Sequence, residues 1–168
     1  MNEKSISARG RPKKLNRDHV VQTALLQYWL DGPANVSIND ICKLTGASKP
    51  SVYREFGSDD GLKKSALDAY HSLAIKPVIE ILETDQHASD TIEALIGFIT
   101  QDRTRLGLPQ GCLFAMMRAQ SKQLGPSTCA KLSQMRLELL NTYSAWITRS
   151  KLRGEFADIP TDIAALFF

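Results

Sequence analysis

The sequence predicts an all-α fold, and three observations carry that reading. Apolar residues recur three and four positions apart through most of the chain, the spacing of one helix face. Ser, Asn or Asp stands where these periodic segments begin, and Gly or Pro where they stop. No stretch alternates apolar and polar residues as a strand does, and there is no internal repeat. At 168 residues the chain can form one or two domains with a sizeable core.

The net charge of +3 is modest but unevenly placed. Residues 1–63 carry ten Lys and Arg against seven Asp and Glu, whereas residues 64–168 carry eleven of each. From Lys4 to Arg17 there are six basic residues and no acidic one. A basic end on a neutral body is the electrostatic footprint of a nucleic-acid binder, although a solubilising tail has the same composition. No apolar run approaches the ~18 residues of a membrane span. The N-terminus is polar and basic, unlike a signal peptide, so a cytoplasmic protein with no membrane association is expected. The three cysteines, odd in number and without C-x-x-C spacing, argue against a disulfide framework or a zinc site.

Taken in order, residues 1–15 read as a disordered basic arm, polar and without periodicity. Within it Arg9-Gly10-Arg11-Pro12-Lys13 is similar to an AT-hook, whose flat Arg-Gly-Arg segment enters a narrow A·T-rich minor groove. Asn16 should cap a first helix over 17–31, with Val20, Val21, Ala24, Leu25, Tyr28 and Trp29 as its apolar stripe and Gly32-Pro33 as its stop. Ser37 with Asp40 is an acidic variant of the capping box, and Ile38, Ile41 and Cys42 give a short helix one buried stripe. Gly46 breaks that helix; Ser48 caps the next, with Pro50 in its first turn, where no N–H is needed. Val52 and Phe56 face inward, leaving Ser48, Lys49, Ser51, Tyr53 and Arg54 outward.

Two short helices joined by a tight glycine-containing turn make a helix-turn-helix unit, which lays its second helix in the DNA major groove. Lys49 and Arg54 can reach phosphates or guanine edges. Ser48 and Ser51 let the backbone come close, and Tyr53 and Ser37 can give hydroxyls to phosphate. A solvated helical hairpin would share the pattern but has no need of this residue order. The string S-I-N-D-I-C-K-L-T-G-A-S-K-P-S-V-Y-R-E-F-G-S-D-D-G-L (residues 37–62) resembles the DNA-binding signature of tetracycline-repressor-family transcriptional regulators. Ile41, Gly46, Ser48, Lys49, Val52, Tyr53, Phe56 and Leu62 match in order and without gaps, and the resemblance covers about residues 17 to 65. It implies a dimeric, all-helical, ligand-responsive repressor that binds a double-stranded DNA operator. One position departs: Asp59 stands where the family often has a phosphate-binding lysine, and a carboxylate cannot make that contact.

Ser58 should cap a longer helix through Leu62, Ala66, Leu67, Tyr70 and Leu73, which Pro77 ends or kinks. The resemblance makes this helix the link between head and body. Further helices are expected after Ser89 or Asp90, from about Cys112 to Gln123, and from Ser127 to just before Gly154. A last one opens at Pro160-Thr161-Asp162. It is apolar and stops after about two turns, so a longer natural chain is expected. The organisation is thus an arm over 1–15, a three-helix helix-turn-helix head over 16–62 and a C-terminal helical bundle over 63–168, for effector binding and dimerisation on the resemblance.

No nucleophile–base arrangement is visible, and His19, His71 and His87 lie in no catalytic motif, so an enzyme is not expected. Glu80, Glu83 and His87 share a helical spacing, but acidic helix faces are too common for that to make a metal site, and no metal or cofactor is expected. Cys112 follows Gly111 at a helix start, where the macrodipole favours a thiolate. Its Gly-Cys element resembles that of a regulator subgroup, some of which sense electrophiles or oxidants through cysteine. A thiol sensor and a small residue at a helix contact are both open readings. Phe98, Leu113, Met116, Met117, Tyr143 and Trp146 are candidates for lining a small-molecule effector pocket, or for plain core. The alternative to a regulator is a module binding protein or non-specific nucleic acid.

Overall fold

A computed structural model describes residues 15–157 and 160–162, and among them there are helices and no strands. The Arg9/Arg11 arm and the apolar end beyond Asp162 lie outside the described residues.

Helix α1 (Arg17–Asp31) starts where Asn16 Oδ1 accepts from the His19 amide at 3.1 Å, and it buries the stripe Val20, Val21, Ala24, Leu25, Tyr28 and Trp29. It stops at Gly32, whose φ of 84° favours glycine. Helix α2 (Ile38–Thr45) opens with a complete capping box: Asp40 N–H donates to Ser37 Oγ and Ser37 N–H donates to Asp40 Oδ2. Gly46 takes the left-handed conformation that turns the chain into α3 (Lys49–Phe56), capped by Ser48 with Pro50 in its first turn. Val52 is the fully buried residue of α3, and Phe56 packs against the core at its end.

Ser58 caps α4 (Asp59–Tyr70) by accepting from the Gly61 amide at 3.0 Å. Pro77 neither ends this run nor sits inside regular α-helix. A π-helical turn, His71–Ile75, precedes it, and α5 (Lys76–Glu83) carries Pro77 in its own first turn. The wide turn shifts the hydrogen-bond ladder by one residue, so that Lys76 N–H reaches the His71 carbonyl and the missing proline donor falls at a helix start.

Helix α6 (Ala88–Thr100) begins earlier than Ser89 or Asp90 would have it. Neither caps it. The Ala88 amide donates to the Glu155 carboxylate, 67 residues away, at 2.9 Å. The segment expected as one helix from Cys112 to Gln123 is shorter: α7 (Leu113–Ala119) ends at Gln120, and a 3-10 turn follows over Ser121–Gln123. Helix α8 (Pro126–Leu152) runs for 27 residues.

Two apolar clusters hold these elements. The larger joins the inner faces of α1, α2, α3 and α4 to Leu113, Phe114 and Met117 of α7 and to Leu132 and Met135 of α8. The core therefore runs without interruption from the helix-turn-helix into the first half of α8. The second cluster, Leu82, Ala88, Leu95, Tyr143, Trp146 and Ile147, packs α5 and α6 on the second half of α8. Burying such side chains contributes roughly 1.5–3 kcal/mol each, opposed by the entropy of ordering them. Among the described residues, no helix is long and apolar enough to cross a membrane.

Candidate nucleic-acid interface

The outward face of α3 is fixed by short-range chemistry. Ser48 Oγ accepts the Ser51 amide at 3.3 Å, and Ser51 Oγ donates to the Ser48 carbonyl at 2.7 Å. Both hydroxyls therefore serve the helix start before they serve any partner; Ser48 does so as the cap its position predicts, and the engagement of Ser51 is what the outward spacing did not reveal. Ser37 is engaged likewise, donating to Asp40 Oδ2 at 2.6 Å, and that bond holds the exposed Asp40 carboxyl below its usual range.

The two cations of α3 point to opposite flanks. Lys49 lies with its ammonium 5.9 Å from the centroid of the Tyr53 ring, and both line a groove with Ser37, Asn39, Asp59 and Lys63. Arg54 lines the other groove, with Ser51, Ser48, Gly46, Asn16 and His19. Neither cation has a carboxylate partner among the described residues. Nearby cations do: Arg17 pairs with Glu55 at 3.1 Å and stacks on Phe56, and Lys43 reaches Asp40 at 3.6 Å. The acid of α3 is thus neutralised from α1, while its outward cations have no carboxylate among the described residues. Asp59 pairs with Lys63, a buried lysine whose ammonium is 5.9 Å from the Tyr28 ring, so the departure at Asp59 adds no unpaired negative charge. Asn39 and His19 stand on the groove rims beside the expected set. Only the fold brings them there.

A third concavity lies in the body. It measures about 490 Å³ and is enclosed by the π turn, α5, α6, the 101–112 loop, α7 and α8. Of the expected pocket residues, Phe98 and Tyr143 line it. Leu113 and Met117 do not; they are fully buried in the larger core. Trp146 is fully buried in the second core, edge-on to Phe156 at 5.2 Å. Met116 turns toward α1, where its sulfur would lie 3.7 Å from a Cβ added at Gly32. The helical spacing of these apolar residues cannot tell a cavity wall from packed core, because both lie on the inward face.

Cys112 is the exposed N-cap of α7. Its Sγ accepts from the Ala115 amide at 3.4 Å and from the Tyr70 hydroxyl at 3.3 Å, at the cavity wall. Burial raises the Tyr70 hydroxyl pKa far above its ordinary value, and Cys112 raises it further, while Arg103 pulls it down. Tyr70 meets Trp29 of α1 edge-on at 5.0 Å, and Trp29 Nε1–H donates to the Gly111 carbonyl at 3.3 Å. The cavity wall is thereby tied to the head. Cys42 is half-buried and burial pushes its thiol up; Cys129 is half-buried and lies over the Ser121 and Leu124 carbonyls. His71 joins the π turn to Glu138 of α8 at 2.8 Å. Among the described residues no group of three or more His, Cys, Asp or Glu could hold a metal ion.

Two short capped helices joined by the turn at Gly46 make a helix-turn-helix unit. The fold is that of TetR-family transcriptional regulators. The chain superposes on a TetR-family regulator from Agrobacterium tumefaciens with a TM-score of 0.78, at 18% identity, covering 89% of this chain and 79% of that one. It superposes on a cysteine mutant of the TetR-family regulator CifR, complexed with a 26-base-pair double-strand operator DNA, with a TM-score of 0.72 at 24% identity, covering 94% and 83%. In sequence it is 29% identical over 106 residues to the HTH-type transcriptional repressor ComR of Escherichia coli, which is 62% of this chain and 50% of ComR. The chain spans about half the length of the curated relatives it matches. No family model matches it.

Proposed function

We propose that this protein is a sequence-specific DNA-binding transcriptional regulator, a ligand-responsive repressor that acts as a cytoplasmic homodimer on a double-stranded operator. The observation that carries the reading is the pair of cations without a carboxylate partner among the described residues, Lys49 and Arg54, on the two flanks of a capped α3. A helix so presented fits the major groove, with Lys49, Tyr53 and Arg54 toward phosphates and base edges, and Ser37, Ser48 and Ser51 at close backbone approach. The Arg9/Arg11 arm would add minor-groove contact. Residues 16–62 form the DNA-reading head, and 63–168 the effector and dimerisation body. An effector in the cavity beside Phe98, Tyr143 and Tyr70 would favour one arrangement of head against body over another, releasing DNA by a population shift. Cys112, at the cavity wall, is the candidate for a thiol input to the same shift. The similarity to a curated transcriptional repressor supports the reading.

The test is fluorescence-anisotropy binding to DNA from upstream of the protein's own gene, beside a scrambled duplex at matched salt. Preference for the upstream DNA, lost on thiol modification but retained in Cys112→Ser, would support both the regulator and the sensor. Equal, salt-sensitive binding to the two duplexes would favour a non-specific nucleic-acid module instead.

A further inference from the structure

The body cavity has a chemical bias that its size alone does not give. Its walls are apolar, with Ile75, Val78, Phe98, Phe114 and Leu139 among them. Two guanidinium groups, Arg103 and Arg118, also line it, and no acidic residue does among the described residues. Arg103 is half-buried. Its guanidinium sits 4.6 Å from the centroid of the Phe98 ring, and Nη2 donates to the Phe98 carbonyl at 3.3 Å. That is the one hydrogen bond of the guanidinium among the described residues, so most of the five-donor fork is left unused. Arg103 lines the same cavity as Tyr70 and Cys112. Arg118 stacks over Phe114 at 5.6 Å and has no carboxylate partner among the described residues. The acid next in sequence, Asp102, is turned to its own loop, accepting from the Thr104 amide at 3.0 Å and pairing with Arg105 at 3.8 Å.

We propose that the cavity takes an apolar organic acid, with its aromatic or aliphatic body among Phe98, Val78 and Leu139 and its carboxylate on Arg103. The inference rests on the reading of the cavity as the effector site. An arginine held by ring stacking and one carbonyl is already positioned, so a carboxylate gains a two-pronged contact while little side-chain freedom is lost. A neutral isostere would leave that charge unanswered in an apolar wall, and a cationic one would be repelled by both guanidiniums. A cavity of this volume lies in the ordinary range for small-ligand sites.

The experiment is isothermal titration calorimetry of the full chain with three probes of one shape: naphthylacetate, naphthylacetamide and naphthylethylamine. The acid is expected to bind about tenfold or more tightly than the amide, with the amine weakest, since a charge-assisted hydrogen bond exceeds a neutral one by that order. Arg103→Gln, checked by its thermal melt for folding, is expected to bring the acid down to the amide, and Arg103→Lys to restore part of the preference. Equal binding of acid and amide by the unaltered protein would overturn the ligand class while leaving the cavity as an effector site. Binding of none of the three would overturn both statements about the cavity. DNA binding by the same sample, measured separately, reports on the regulator reading in either case. A preference that survives in folded Arg103→Gln would remove Arg103 from the recognition.

Discussion

Asp60, in the first turn of α4, caps the start of α8 through Thr128. Its Oδ1 accepts the Thr128 amide at 3.0 Å and the Thr128 hydroxyl at 2.6 Å, and its Oδ2 accepts the Ser127 amide at 2.8 Å. The residue in the N-cap position of α8 is Gly125, which has no side chain to offer, so the orphan amides of the longest helix are satisfied from α4. The carboxylate fastens the helix after the helix-turn-helix to the body.

Losing that fastening should cost stability in a pH-dependent way. Burial pushes the Asp60 carboxyl up, but the hydrogen bonds from Thr128 and Ser127 outweigh it and hold the pKa below the ordinary value. A depressed carboxyl stabilises the fold fully above the unfolded value of about 3.9, and less as pH falls through the folded one. Asp60→Ala should lose about 1 kcal/mol at pH 7 by urea melting, the usual worth of a helix cap. The difference from the unaltered protein should shrink toward pH 3. Gly125→Ala should be destabilising too, because its methyl would collide with the Asp60 carboxyl group. Melts of Asp60→Ala that match the unaltered protein at both pH values would refute this role.

Gly46 tests the turn between α2 and α3. Its φ is 67°, and no atom lies within 4 Å of a Cβ added there. The cost of Gly46→Ala is therefore conformational rather than steric, about 1 kcal/mol. Gly46→Asn should cost less, since Asn tolerates the left-handed region. Chemical denaturation of both variants would check the order; an alanine variant as stable as glycine would contradict it.

Trp29→Phe removes the Trp29–Gly111 hydrogen bond while keeping an aromatic ring in the buried stripe of α1, at the cost of the volume of the indole's second ring. It should lose roughly 1 kcal/mol for the hydrogen bond, plus about 1–3 kcal/mol for the buried atoms removed and the cavity they leave. The same variant should weaken any effect of a cavity ligand on DNA affinity, because it cuts the polar tie between cavity wall and α1. Full coupling in Trp29→Phe would mean that the signal passes through Tyr70 packing or another route.

For the outward cations, Lys49→Ala and Arg54→Ala should each leave the thermal melt nearly unchanged while weakening DNA binding. If each meets one phosphate, the slope of log affinity against log salt should fall by about 0.9 per substitution. An unaltered affinity in both variants would remove α3 as the DNA-reading element.

Much of the head was legible because its decisive contacts are short-range. The caps at Asn16, Ser37 with Asp40, and Ser48 join residues three positions apart, and the buried stripe of α1 follows from helical spacing alone. The body was less legible. Leu113, Met117 and Trp146 are apolar or aromatic residues on inward helix faces, as Phe98 and Tyr143 are, yet the first three are packed solid and the last two line a cavity. The start of α6 is not legible locally for a related reason, since its amide partner Glu155 lies far along the chain.

The sequence by itself determined the helices of the head, the turn at Gly46 and the outward set on α3, because backbone propensity and capping act within one or two turns. Only the tertiary structure decided which cations stay free and how the head is fastened to the body. Those outcomes rest on Arg17 meeting Glu55, Asp60 meeting Thr128, and Trp29 meeting Gly111. Each joins residues brought together by burial of apolar faces, a non-directional force that sets no pairing in the linear sequence.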